Sequence, residues 1–337
     1  LATKKKIATK RDPARTDVNL RAAMAGGQSA AEEVIEFRMK QRRKRAAIEK
    51  KLAASPRGLD AHARVRVLDT AAFMPETSRA LFGARTSVGV LIAEGDSWFD
   101  YPMQDVLRLL EDKYLFDVES VAHMGDCVED MAHSKGQFEE FARRLEKLLG
   151  QTKVPRAILL SGGGNDIAGD EFAILLNHAT SKLPPLNEDI LRGVIDVRLK
   201  QAYASILSSL TVIARSYLGR PIPIITHGYD YPVPDGRGFA GGWWKLPGPW
   251  LKPAFQKKGH DDLTKNTQVI VQLIDRFNAM LRAVSALPEF AHVHYLDLRG
   301  TLNHDGTYKK HWANELHPNA TGFDLVTKKF ADALNKV

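Results

Sequence analysis

The sequence predicts an α/β protein, a parallel sheet covered by helices on both faces and preceded by a basic helical extension. Two observations carry this. After residue 88, short β-branched or apolar runs recur, each closed by a polar or Gly-rich turn and followed by a longer helical pattern, and that alternation is the signature of right-handed strand-helix-strand units. The charge is also divided: residues 1–90 hold 20 basic and 9 acidic side chains, or +11, which leaves −3 for the rest of a chain whose net charge is +8.

The composition, 26% charged and 44% hydrophobic over 337 residues, suits a folded chain with a sizeable core and excludes disorder throughout. A single cysteine, Cys127, rules out an intramolecular disulfide and a thiolate-rich zinc site. The longest charge-free run in the helical middle, residues 201–214, has 14 residues, short of the roughly 18 that a membrane span needs. A cytoplasmic protein is expected, with secretion left open.

In chain order, residues 1–28 mix lysines with Pro13, Gly26 and Gly27 and read as a mobile arm. Residues 30–54 contain no Gly or Pro and are rich in Ala, Glu, Lys and Arg, so a long helix is expected. Its apolar positions, among them Val34, Ile35, Met39, Ala46, Ala47 and Ile48, form a stripe broken by Arg42, Arg43, Lys44 and Arg45, which would let it pack at both ends. That basic run suits an anionic surface, whereas nucleic acid is disfavoured because no aromatic residues interleave with the charges. Residues 55–88, with Pro56, Gly58 and Pro75, read as a connection. The expected division is therefore 1–87 as a basic, partly disordered arm with a long helix, and 88–337 as the α/β domain.

Within the second part, strands are expected at 88–93, 118–122, 157–160, 222–226 and 293–296. Helices are expected at 103–113, 137–149, 189–217, 263–287 and 320–336. Ligands of such sheets bind beyond the carboxyl ends of the strands, and the chemically active side chains fall there. The first strand runs into Gly95, Asp96, Ser97 and Trp98, the second into His123, Met124, Gly125 and Asp126, and the third into Ser161, Gly162, Gly163, Gly164, Asn165 and Asp166. A serine leaving a buried strand exposes its hydroxyl at the sheet edge as a nucleophile. The N–H groups of Ser97 and Gly125 and the amide of Asn165 would together form an oxyanion hole. The Gly-rich loop lacks the Lys-Ser or Lys-Thr of a phosphate-binding loop. His317, before Pro318 and the last helix, is placed to act as general base.

Gly95-Asp96-Ser97, Gly125, Gly164-Asn165-Asp166 and His317-Pro318, in this order at strand ends, resemble the blocks of the SGNH hydrolases, the GDSL esterases and lipases. The resemblance covers about residues 88–337. It implies a flavodoxin-like three-layer α/β/α sandwich with a central parallel sheet, a serine esterase acting through an acyl-enzyme on Ser97 with His317 as base, and no metal or organic cofactor. It departs from the family at the third triad position, where an Asp is usual three residues before the His and this chain carries Asn314. Three readings stay open: Glu315 supplies the carboxylate, Ser97 and His317 work as a dyad oriented by carbonyls, or activity is lost. A substitution made to trap a complex is a fourth. The rival reading is a catalytically weakened SGNH-like domain that binds or tethers through its basic arm.

Residues 227–255 form an insert in which three of five tryptophans fall within eight positions. A long aromatic loop of this kind is expected to wall the site or close over it. Trp98, Tyr229, Asp230, Trp243 and Trp244 are the substrate-contact candidates, for a small-molecule, lipid or carbohydrate ester. Asp100 and His227 are placed at the site's edge, and Cys127 is read as a buried bystander.

Overall fold

The computed structural model describes residues 13–53, 87–239 and 247–337. Five parallel strands, β1 (Gly89–Glu94), β2 (Phe116–Ser120), β3 (Pro155–Leu160), β4 (Ile224–His227) and β5 (Val293–Leu296), form a sheet in the order β2-β1-β3-β4-β5. The three central strands are buried almost without interruption on both faces, which is why they read as continuous apolar runs and not as alternating ones. Each expected strand is present, displaced by at most two residues at either end.

From β1 the chain moves one way along the sheet to β2, and thereafter the other way to β3, β4 and β5. Right-handed crossovers then place the helix after β1 on one face and those after β2, β3 and β4 on the other. Helix α2 (Val106–Tyr114) accordingly packs with the last helix, α8 (Ala320–Leu334), on the first face. On the second lie α3 (Val128–His133), α4 (Lys135–Gly150), α5 (Lys200–Leu218) and α7 (Leu263–Ser285), with the short α6 (Lys252–Lys257) preceding α7. A π-helical stretch, Arg192–Leu199, leads into α5. The result is an α/β/α sandwich in the flavodoxin-like strand order. Helix α2 starts later than expected because the Asp105 carboxylate caps it, accepting from Arg108 N at 2.9 Å. Among the described residues no helix is long and apolar enough to cross a membrane.

The long basic helix, α1 (Pro13–Ala53), begins well before residue 30, so the described part of 1–28 is helix and not an arm. Gly26 and Gly27 counted towards the mobile-arm reading, yet Gly27 is a packing site. A Cβ there would stand 2.2 Å from Ser205 O, and Ser209 Oγ donates to Gly27 O at 2.7 Å, so only glycine lets α1 and α5 approach this closely. Leu20, Met24, Ala31, Val34 and Ile35 are buried along this contact. Arg38 completes it with an ion pair to Glu146 of α4 at 2.6 Å, and Glu146 also accepts from Tyr217 OH. Packing ends there: Arg42 to Lys51 are exposed, Ala46, Ala47 and Ile48 included, so the stripe does not dock at both ends as expected. Residues 1–12 and nearly all of the expected connection, 54–86, lie outside the described residues.

Candidate active site

The two directions taken from β1 leave a crevice beyond the carboxyl ends of β1 and β3, where ligands of doubly wound sheets bind. Ser97 enters it on a tight turn, with Phe99 N and Asp100 N both donating to Asp96 O. Gly95 makes the turn possible, because a Cβ there would stand 2.7 Å from Ser161 Cβ at the end of β3.

Across 220 residues of sequence, the loop before α8 brings His317 Nε2 to 2.7 Å from Ser97 Oγ. His317 Nδ1 lies 3.0 Å from Asn314 Oδ1, and the same oxygen accepts from Leu316 N and His317 N, each at 2.9 Å. Asn314 Nδ2 donates to Tyr101 OH at 3.1 Å. This pattern fixes the amide: a flip would set its NH2 against two backbone N–H donors. Asn314 therefore presents an acceptor to Nδ1, which must carry its proton, and leaves the Nε2 lone pair to face Ser97. Burial pushes the His317 imidazolium down to about 3, so the ring is neutral, as a base must be.

Tyr101 went unrecognised in the sequence. Its ring stacks on His317 at a centroid distance of 4.3 Å, with Trp250 edge-on at 5.5 Å. The only local sign of Tyr101 was its place four residues after Ser97. The sequence's leading carboxylate candidate, Glu315, does not serve His317. Its Oε1 accepts from Gly236 N and Lys252 N, and its Oε2 from Trp250 N and Leu251 N, at 2.6–3.1 Å. Wholly buried, it braces the loop that carries His317 against Gly236 and residues 250–252.

A cavity opens beside Ser97, with Asn165 and His317 in its wall. Asn165 Nδ2 donates to Asp126 O at 2.9 Å, which leaves the amide's second hydrogen unspent on that bond. Of the expected trio of oxyanion donors, Ser97 and Asn165 line this cavity, and Gly125 turns with φ +96° one residue before Asp126, whose carbonyl accepts from Asn165.

Of the substrate-contact candidates, Trp98 and Tyr229 line the cavity with their rings, while Trp98 Nε1 donates to Leu316 O at 3.2 Å and Tyr229 OH donates to Asp96. Asp230 also borders it, but its carboxylate accepts from Tyr231 N, Gly300 N and Leu302 N, a brace between the loops after β4 and β5. Trp243 and Trp244 lie outside the described residues.

His227 is not at the site's edge but fully buried in β4. Its Nε2 is 2.8 Å from Ser161 Oγ, which bonds Asp96 Oδ1 at 2.7 Å, and its Nδ1 is 2.9 Å from Gly228 O. Burial pushes the His227 imidazolium down from its ordinary value. With Ser161 and His227 both sealed from solvent, this second serine-histidine pair anchors the Ser97 turn from below and cannot meet a substrate.

Asp100 is exposed and accepts from Met124 N at 3.0 Å. Burial, with Asp166 the first of its acidic neighbours, pushes the Cys127 thiol up to about 12, so it stays protonated. Among the described residues no three His, Cys, Asp or Glu side chains are grouped to hold a metal ion.

No protein-family model matches the sequence, and no curated protein matches it either. Solved structures do. In structure the chain is similar to esterases. A catalytic mutant of Axe2, an acetylxylan esterase from Geobacillus stearothermophilus, is 15% identical, with a TM-score of 0.39 over 74% of this chain and 94% of that one. The esterase EstA from Pseudoalteromonas sp. is 15% identical, with a TM-score of 0.36 over 74% and 97%. A proposed SGNH hydrolase from Slackia heliotrinireducens is 12% identical, with a TM-score of 0.39 over 72% and 97%.

Proposed function

We propose that this chain is a serine esterase of the SGNH type, cleaving carboxylic esters through an acyl-enzyme. The observation that carries the reading is the row Ser97 Oγ, His317 Nε2, His317 Nδ1, Asn314 Oδ1, with steps of 2.7 and 3.0 Å, at the carboxyl edge of a parallel sheet. Ser97 Oγ attacks the ester carbonyl carbon as its proton passes to Nε2, and the carbonyl oxygen becomes an oxyanion beside Asn165. Collapse breaks the bond to the alkoxy oxygen, which leaves as the alcohol with the proton from Nε2. Water then repeats the attack on the acyl-enzyme, with His317 again as base, and releases the acid and free Ser97. Asn314 orients the imidazole without a charge to stabilise its protonated form, so a modest catalyst is expected. The test is hydrolysis of 4-nitrophenyl butyrate together with labelling by a fluorophosphonate. Both are expected to disappear in Ser97→Ala, and hydrolysis that survives that change would overturn the reading.

The absence of a carboxylate at Asn314 favours one second reading, a binding module whose exposed Arg42, Arg43, Lys44 and Arg45 meet an anionic surface. Salt-dependent binding to anionic vesicles by a chain that no fluorophosphonate labels would support it.

A further inference from the structure

The cavity beside Ser97 has an uneven chemistry. Ile270, Leu273 and Ile274 project into it from one face of α7, at the i, i+3 and i+4 spacing, and Ile167 and Leu251 add further aliphatic wall. Its polar members are nearly all occupied by other protein groups. Trp98 Nε1 is bonded to Leu316 O, Trp312 Nε1 to Asn303 O at 3.0 Å, and Tyr229 OH to Asp96, while Asp230 is bonded to three backbone amides. What remains for a ligand is the Ser97 hydroxyl with His317 behind it and the Asn165 amide. A sugar ring placed in this space would leave its hydroxyls without partners, and each unpaired buried hydroxyl costs free energy. A hydrocarbon chain needs none.

We propose that this cavity is an acyl-chain pocket, and that the substrates are esters of short- to medium-chain aliphatic acids. The inference rests on the esterase reading and names its substrate class. The chain belongs to the acyl half because the alcohol must depart before water enters, whereas the acyl group stays bonded to Ser97 through both steps.

The experiment measures kcat/KM of the full chain on 4-nitrophenyl acetate, butyrate and hexanoate, on an acetylated monosaccharide, and on the isomers ethyl hexanoate and hexyl acetate. Each methylene buried in the pocket is worth roughly a fourfold gain, so butyrate should exceed acetate by about fifteenfold. Ethyl hexanoate should exceed hexyl acetate. Leu273→Phe, which fills the pocket, should lower the hexanoate-to-acetate ratio, and Ile270→Ala, which widens it, should raise that ratio, with thermal melts checking that both variants fold.

A flat or falling profile that still depends on Ser97 would overturn the pocket and leave the esterase standing. Preference for the acetylated sugar or for hexyl acetate would do the same, as would ratios unmoved in both variants. If nothing is hydrolysed, the esterase reading fails, and calorimetry of hexanoate against acetate binding to Ser97→Ala protein decides the pocket by itself. Tighter hexanoate binding that weakens in Leu273→Phe supports it, and equal binding sinks it.

Discussion

Replacing Asn314 by Asp adds one negative charge where the imidazolium forms and changes little else. The oxygen that faces His317 Nδ1 at 3.0 Å already accepts two backbone N–H groups, and Tyr101 OH stands ready to donate to the other oxygen where it now accepts from Nδ2. A unit-charge pair at that distance is worth about 5.5 kcal/mol at an effective dielectric constant of 20. Burying the new carboxylate costs several kcal/mol, partly offset by its three or four donors, which leaves about 2–3 kcal/mol of transition-state stabilisation. That corresponds to a gain of about 30- to 150-fold in kcat/KM. It is smaller than the 10⁴-fold loss known for Asp→Asn in a serine protease, where the wrong tautomer results, because Asn314 already holds the right one. The assay is kcat/KM against pH for parent and variant on 4-nitrophenyl butyrate. In the parent, burial holds His317 at about 3, so activity should persist far into acid. In the variant the acid limb should move up by about 1.5 to 2 pH units. An unchanged rate and acid limb in a folded variant that a fluorophosphonate still labels would refute the argument.

Glu315→Gln should destabilise the protein by about 2–5 kcal/mol, because an amide NH2 would face two of the four N–H groups that the carboxylate now accepts; a urea midpoint equal to the parent's would count against this. Gly27→Ala forces a Cβ against Ser205 O and should cost about 1–3 kcal/mol, seen as a lower melting temperature and faster proteolysis of α1; an unshifted melt would mean that α1 and α5 are not in this contact. From pH 6.5 down to about 3 the unfolded chain takes up a proton that folded His317 refuses. This residue therefore makes stability fall as pH falls, by at most about 1.4 kcal/mol per pH unit. Urea midpoints at pH 4 and 7 should differ less in His317→Asn than in the parent, and equal differences would show that the ring titrates normally.

The strands were legible because fully buried parallel strands are unbroken apolar runs closed by Gly or polar turns, and both signals are local. Ser97, Asn165 and His317 were legible for a related reason: they stand at the ends of those runs, and the structure brings them to one cavity. Helix α1 was legible only in part. Gly26 and Gly27 carry the same local meaning whether they break a helix or admit a neighbour, and only the Ser205 carbonyl distinguishes the two.

The sequence by itself determined the order of the elements, the parallel sheet and the segments that meet at its carboxyl edge, because these follow from periodicity and turn chemistry along the chain. Tertiary structure decided which neighbour serves which group. Asn314 and Glu315 are adjacent in the chain, yet one carboxamide oxygen faces His317 while the carboxylate is drawn off by the backbone amides of Gly236 and residues 250–252. Tyr101 over the imidazole and the α7 aliphatic face in the cavity of Ser97 come from elements far apart in sequence. Hydrogen bonds and burial are settled by proximity in space, and chain position does not encode that proximity one residue at a time.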